Sequence, residues 1–233
     1  MSLLIGVGSI VTGQLGNLEL AGWMIVWCGL LDVMDGLAAR MLKATSDFGA
    51  EFDSMADLVS FGVAPGMLVL QAGMEYGGFE LFSGPFWVLL VSVGVFVLCG
   101  AMRLARFNLA TGHAPKGWFM GIPITGAGGG LLSTGVILIT RYPEIAEAMP
   151  LHAYLPVAMF VLALGMISTI RFPKAVVRDN KFINAFQGFN IIATYYCGIT
   201  RSYPEFLFSM GLFLLVAGII AGRISKLEEQ KGG

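Results

Sequence analysis

Charge is what this sequence has least of. Only 12% of its 233 residues are Asp, Glu, Lys or Arg, about half the share of an ordinary soluble domain. The net charge is −1, which leaves no basic excess for a polyanion and argues against nucleic acid as a partner. Cysteine is scarce as well. Cys28, Cys99 and Cys197 stand singly inside apolar stretches, with no Cys-x-x-Cys pair and no disulfide framework, so they read as small buried hydrophobes. The two histidines, His113 and His152, fall in separate expected loops and form no ligand cluster. No basic region precedes the first apolar run and no small-residue cleavage site follows it, so a cleavable leader is not expected.

What the sequence has in quantity is hydrophobic residues, 56% of the chain, with a mean hydropathy of +0.79. A membrane-spanning helix needs about 20 mostly apolar residues. Runs of that kind are expected at Leu20–Leu42, Phe48–Ala72, Phe86–Arg106, Ile122–Thr140, Ala153–Ile170, Asn184–Ile199 and Pro204–Gly222. The opening run, Ser2–Gly13, is too short to cross unaided and reads as the tail of a helix. Counting it gives about eight segments, with no repeat, low-complexity tract or long linker between them. The expected fold is an all-α polytopic transmembrane bundle, one domain over residues 1–233.

Lysine and arginine orient such a bundle, because cytoplasmic loops retain them. With eight crossings, one side holds Arg40, Lys43, Arg103, Arg106, Lys116, Arg171, Lys174, Arg178, Lys181, Arg223, Lys226 and Lys231. The other holds Arg141 and Arg201, with Glu75, Glu80, Glu144 and Glu147. The basic side, both termini and the Lys43–Asp47 loop are therefore expected in the cytoplasm.

Against this apolar background stand Asp32 and Asp35 near the end of one expected helix, and Asp53 and Asp57 near the start of the next. An ionised carboxylate in mid-bilayer costs at least about 2.5–3.5 kcal/mol on insertion scales, and neighbouring carboxylates repel one another. Spacings of three and four residues put each pair on one helix face. At about 1.5 Å per residue, Asp35 and Asp32 lie roughly 12 and 16 Å below Lys43, and Asp53 and Asp57 roughly 9 and 15 Å below Asp47. The depths match. Arg40 is too little positive charge to balance four carboxylates. Hard oxygen donors suit Mg²⁺ or Mn²⁺, with Ca²⁺ as a further occupant, and two such ions would neutralise the cluster. Gly36 and Gly49 extend the same faces and let another backbone or a nucleotide come close, while Arg40 can set a charged fork on a phosphate. Two metals, an arginine and a spare carboxylate are the components of phosphoryl transfer. Taken singly, an intramembrane aspartate is as often an ion or proton relay, and an Asp-Gly pair is often a turn. Those readings leave the joint spacing unexplained.

The spacing Asp32-x2-Asp35-Gly36-x2-Ala39-Arg40-x8-Gly49-x3-Asp53-x3-Asp57 resembles, position for position, the signature of the CDP-alcohol phosphatidyltransferases. The resemblance implies that the four aspartates bind two divalent ions, that Asp57 is also the general base, and that Gly36, Arg40 and Ser46 touch the CDP part of the lipid donor. A homodimer is implied as well. The family's Pro-Asn-x-x-Thr-like segment is not found, and the short opening helix implies that it precedes Met1 or has been lost. Downstream, Arg103-Leu-Ala-Arg-Phe-Asn108 and Gly117-Trp-Phe-Met-Gly-Ile-Pro123 look like segments of phosphatidylserine synthases, although Thr125 stands where a second proline is expected. This narrower likeness makes CDP-diacylglycerol the expected donor and L-serine the acceptor, its carboxylate received by Arg103 or Arg106. The alternatives are the same chemistry on glycerol-3-phosphate, inositol or choline, and, further off, a divalent-cation transporter. A transporter would place ligands in both halves of the membrane, and the non-cytoplasmic halves of these spans carry none.

Overall fold

The computed structural model describes residues 1–42, 46–109, 118–173 and 181–232. They form helices α1 (Ser2–Gln14), α2 (Leu18–Leu42), α3 (Asp47–Asp57), α4 (Ala64–Tyr76), α5 (Gly84–Leu109), α6 (Ser133–Arg141), α7 (Pro143–Ala148), α8 (Leu151–Ile167), α9 (Lys181–Thr200) and α10 (Pro204–Gly232). Two short strands, β1 (Trp118–Met120) and β2 (Arg171–Pro173), pair antiparallel with Phe119 opposite Phe172. Three helical stretches are long and apolar enough to cross a bilayer, Phe48–Tyr76, Gly84–Leu109 and Pro204–Ser225, and α1 and α8 are shorter apolar helices. The chain is an all-α membrane bundle. Its exterior fits that solvent: Val88, Val91 and Leu98 on α5 and Phe189, Ile192, Tyr196 and Ile199 on α9 are exposed, a surface that would associate in water.

Each of the eight expected segments is helical, with two differences. The span expected at Phe48–Ala72 is α3 and α4 joined by a π-helical segment, Leu58–Val63. The span expected from Ile122 starts helically at Ile124 and runs through a second π-helical segment, Thr125–Leu132, into α6. Ile122 belongs instead to the link after β1, where Gly121 N donates to Ile170 O (2.8 Å) and Ile122 N to Gly165 O (3.0 Å). The sheet and α7 were not anticipated, since three-residue strands carry too few positions for a period. Lys43, Lys116, Gly117, Lys174 and Arg178, used above to orient the bundle or to support the resemblance, lie outside the described residues.

Chain entry into the helices follows local chemistry. Gly16, at φ +86°, turns α1 back onto α2, and Asn17 Oδ1 accepts from Leu20 N (3.1 Å) to cap α2. Ser9 Oγ donates to Ala21 O (2.8 Å) between the two helices. At the end of the bundle away from the aspartates, Arg141 pairs with Glu19 (3.4 Å) and the Tyr142 hydroxyl donates to Glu205. Farther along α2, Trp27 Nε1 donates to Gly198 O and Tyr195 Oη to Leu30 O, both at 2.7 Å, seating α9 beside α2.

The two π-helical segments meet at the centre, around the fully buried Phe61 and Ile124. A π-helical turn carries an extra residue and widens the helix locally, and such turns often adjoin functional sites. The first begins directly after Asp57. Contact is so close that a Cβ on Gly128 would sit 1.9 Å from the Phe61 carbonyl oxygen, and no rotamer change relieves a clash with backbone. Gly128→Ala should therefore cost at least about 2 kcal/mol, in the upper half of the usual range for overpacking. A melting curve of the purified protein in detergent, expected to shift down by several degrees, checks this.

Candidate active site

The aspartates are placed by two consecutive helices. Asp32 comes from the second half of α2, Asp53 and Asp57 from α3, and Ser46 caps α3 by accepting from Gly49 N (3.0 Å). One carboxylate oxygen from each of Asp32, Asp53 and Asp57 lies within 4.8 Å of the others; Asp32 and Asp57 are half-buried and Asp53 is exposed. Asp35 is exposed and stands outside that trio, within electrostatic reach of Asp32 and Asp53. Two carboxylates at such a separation repel by about 3–4 kcal/mol at an effective dielectric near 20 when both are ionised. The set consists of hard oxygen donors, as Mg²⁺, Mn²⁺ and Ca²⁺ prefer. Asp57 Oδ1 is buried without a hydrogen-bond partner. These residues fit a divalent cation.

Among the described residues, Arg103 supplies positive charge to Asp57. It is buried, with 8% of its surface exposed, and it acts electrostatically on Asp57. Among the described residues no ion pair joins the two, and Arg103 Nε, like Asp57 Oδ1, has no hydrogen-bond partner. Buried polar atoms are seldom left so. A carboxylate and a guanidinium within electrostatic reach of each other thus each keep an unused buried atom.

The sequence matches the CDP-alcohol phosphatidyltransferase family over residues 1–177. The chain belongs to this family. Among curated proteins it is 35% identical over 175 residues to the CDP-diacylglycerol–serine O-phosphatidyltransferase of Helicobacter pylori, covering 74% of this chain and 68% of that one. It is 33% identical over 212 residues to the enzyme of the same name from Methanocaldococcus jannaschii, covering 91% and 89%. A third of that name, from Bacillus subtilis, is 36% identical over 177 residues, covering 73% and 88%. Family membership sets aside the cation-transporter alternative.

Two further residues of the phosphatidyltransferase signature, Gly36 and Arg40, follow Asp32 and Asp35 on α2. Gly36 is exposed on α2, and a side chain there would meet nothing within 4 Å among the described residues. Packing among the described residues does not require this glycine. Arg40 lies in the last turn and a half of α2, where the description covers the backbone alone.

Arg106, the second arginine expected at the acceptor, is turned to backbone carbonyls in this structure. Its Nη1 donates to Ile167 O (3.0 Å), and its Nη2 faces the carbonyls of Met120 (3.0 Å), Ser168 (3.2 Å) and Met166 (3.3 Å). Those carbonyls close the end of α8 and the end of β1, and a cation there also complements the helix dipole. Arg106 is thus a clasp between α5, α8 and the small sheet, and its fork is turned to backbone rather than to an acceptor. Sequence reasoning also missed a bridge between α3 and α5. Asn108 Nδ2 donates to Glu51 Oε2 (3.2 Å) and reaches Ser54 Oγ (3.1 Å). The only signal was two polar residues inside apolar helices, and spacing along the chain does not pair residues 54 positions apart.

Arg106→Ala should lower stability by about 1.5–3 kcal/mol, the worth of a hydrogen-bonded charged group, and leave the KM of the acceptor alcohol near its normal value. Thermal unfolding together with acceptor titration checks both halves.

Proposed function

We propose that this chain transfers the phosphatidyl group of CDP-diacylglycerol to the hydroxyl of L-serine, giving phosphatidylserine and CMP. The whole of residues 1–233 acts as one catalytic domain, with the site and both termini on the cytoplasmic side of the cell membrane. The observation that carries this is the convergence of Asp32, Asp53 and Asp57 beside a buried Arg103, within the signature of a family whose serine-specific members are about one-third identical to this chain. A homodimer is the assembly the family resemblance favours.

In this reading Asp32, Asp35, Asp53 and Asp57 would hold divalent cations, Mg²⁺ or Mn²⁺. The bound metal would neutralise the carboxylates and the donor pyrophosphate and stabilise charge developing on the leaving CMP. The donor enters sideways from the cytoplasmic leaflet with its acyl chains still in lipid. Gly36 gives the nucleotide close access to α2, and Arg40 and Ser46 contact its phosphates and sugar. Arg103 receives the serine carboxylate. Asp57 accepts the proton of the serine hydroxyl; the freed oxygen bonds to the phosphorus bearing diacylglycerol, and the bond from that phosphorus to CMP breaks, its electron pair leaving with CMP.

Chelation by EDTA should abolish CMP release, and Mg²⁺ or Mn²⁺ should restore it; full turnover in metal-free buffer would sink the metal assignment. Asp57→Asn should lower kcat by about 10²–10⁴, the usual share of a general base, with donor binding less affected than in Asp32→Asn. For the acceptor, Arg103→Ala should raise the serine KM about tenfold, corresponding to one charge-assisted hydrogen bond, and Arg103→Lys should rescue poorly because the planar fork is lost. A serine titration following CMP measures this, and an unchanged KM would show that the carboxylate is read elsewhere.

A further inference from the structure

The segment Arg103–Asn108 sends its three polar side chains in different directions. Successive residues on an α-helix turn by about 100°, so Asn108 points some 140° away from Arg103 around α5. Arg103 addresses Asp57 and Arg106 clasps α8, and neither employs Asn108. Two partners of Asn108 are on the helix that carries Asp53 and Asp57. Its amide nitrogen reaches Glu51 Oε2 at 3.2 Å and Ser54 Oγ at 3.1 Å, while the Ser54 hydroxyl is itself within 3.1 Å of Ala50 O. Ser54 is one residue from Asp53 and less than one turn from Asp57. Two antiparallel helices therefore interact at two places: electrostatically at Asp57 and Arg103, and by hydrogen bonds at Ser54 and Asn108.

We propose that Asn108 is a positioning residue, which through Ser54 and Glu51 fixes the separation of α3 from α5 and so the gap between Asp57 and Arg103 into which the acceptor fits. This rests on the assignment of that gap to the amino-acid acceptor. A gap between two helices is sensitive to their spacing. Without the bridge, Asp53 and Asp57 still stand beside Asp32 of α2, so the carboxylates remain presented to the donor. What loosens is the span between base and guanidinium. The loss falls on the small acceptor, which must meet both ends at once, and spares the donor, held on α2 and α3.

The test uses the full chain in detergent with CDP-diacylglycerol and L-serine, following CMP. Asn108→Ala and Ser54→Ala should each raise the serine KM about three- to tenfold, the factor one neutral hydrogen bond carries, with the donor KM changed by less than about twofold. The double variant should be no worse than the worse single one, because both cut the same bridge. Ser54→Thr, which keeps the hydroxyl, should recover most of the Ser54→Ala loss, and melting curves report whether folding is intact. Equal losses on both substrates, additive effects, or a normal serine KM in Asn108→Ala would each overturn the proposal. Arg103→Ala assayed in parallel separates the two ideas. A normal serine KM there removes the carboxylate assignment, while a selective, non-additive Asn108 effect in the same assay still leaves the bridge acting on Asp57.

Discussion

Mutual repulsion of carboxylates inside an apolar bundle is the constraint around which this protein is organised. Asp32, Asp53 and Asp57 bring oxygens within 4.8 Å of one another, an arrangement that one buried arginine cannot neutralise. Folding energy is not gained by such a cluster. It is tolerated because rigid elements hold it and because divalent cations suit its donors. Two features serve it: a capped start to α3 and an immediate transition into the π-helical segment after Asp57.

Rigidity behind the site comes from backbone contacts more than from large side chains. Gly128 lets the second π-helical segment lie directly against the carbonyl of Phe61, so the helix bearing Asp53 and Asp57 is buttressed within two turns of those carboxylates. Helix α5 divides its labour by direction. Arg103 adds charge near Asp57, Arg106 binds the end of α8 and β1, and Asn108 reaches α3. Three neighbouring polar residues that look alike in a sequence motif thus do three different jobs, because a helix distributes them around its axis.

The placement of polarity also suits the proposed chemistry. A lipid donor anchored in one leaflet and a small zwitterion from water can meet only at a depth both can reach. On α2, Asp32 and Asp35 lie about two to three turns before the helix end, which suits such a meeting in the proposed orientation. The opposite end of the bundle is closed by Glu19, Arg141, Tyr142 and Glu205 in ordinary structural pairs, and the faces of α5 and α9 turned outward are apolar.

The sequence by itself determined the helical class, the extent of each segment to within a few residues, and the aspartate pattern. Each of these depends on local period or on spacing within one or two neighbouring helices. Asp32, Asp53 and Asp57 were readable as a group because the short Lys43–Asp47 loop leaves two helices little freedom in how they face. Tertiary structure alone decided what is set by contacts between distant parts of the chain. Arg103 and Arg106 are equivalent in composition and depth, and only the position of the α8 carbonyls, some 60 residues away, turns one into a clasp and leaves the other beside Asp57. Asp35 matches Asp32 in sequence signature, yet a turn of α2 leaves it outside the close trio. The π-helical segments, the small sheet and the Asn108–Ser54 bridge were likewise invisible, because each arises where two backbones meet, and no periodicity along a single chain records such a meeting.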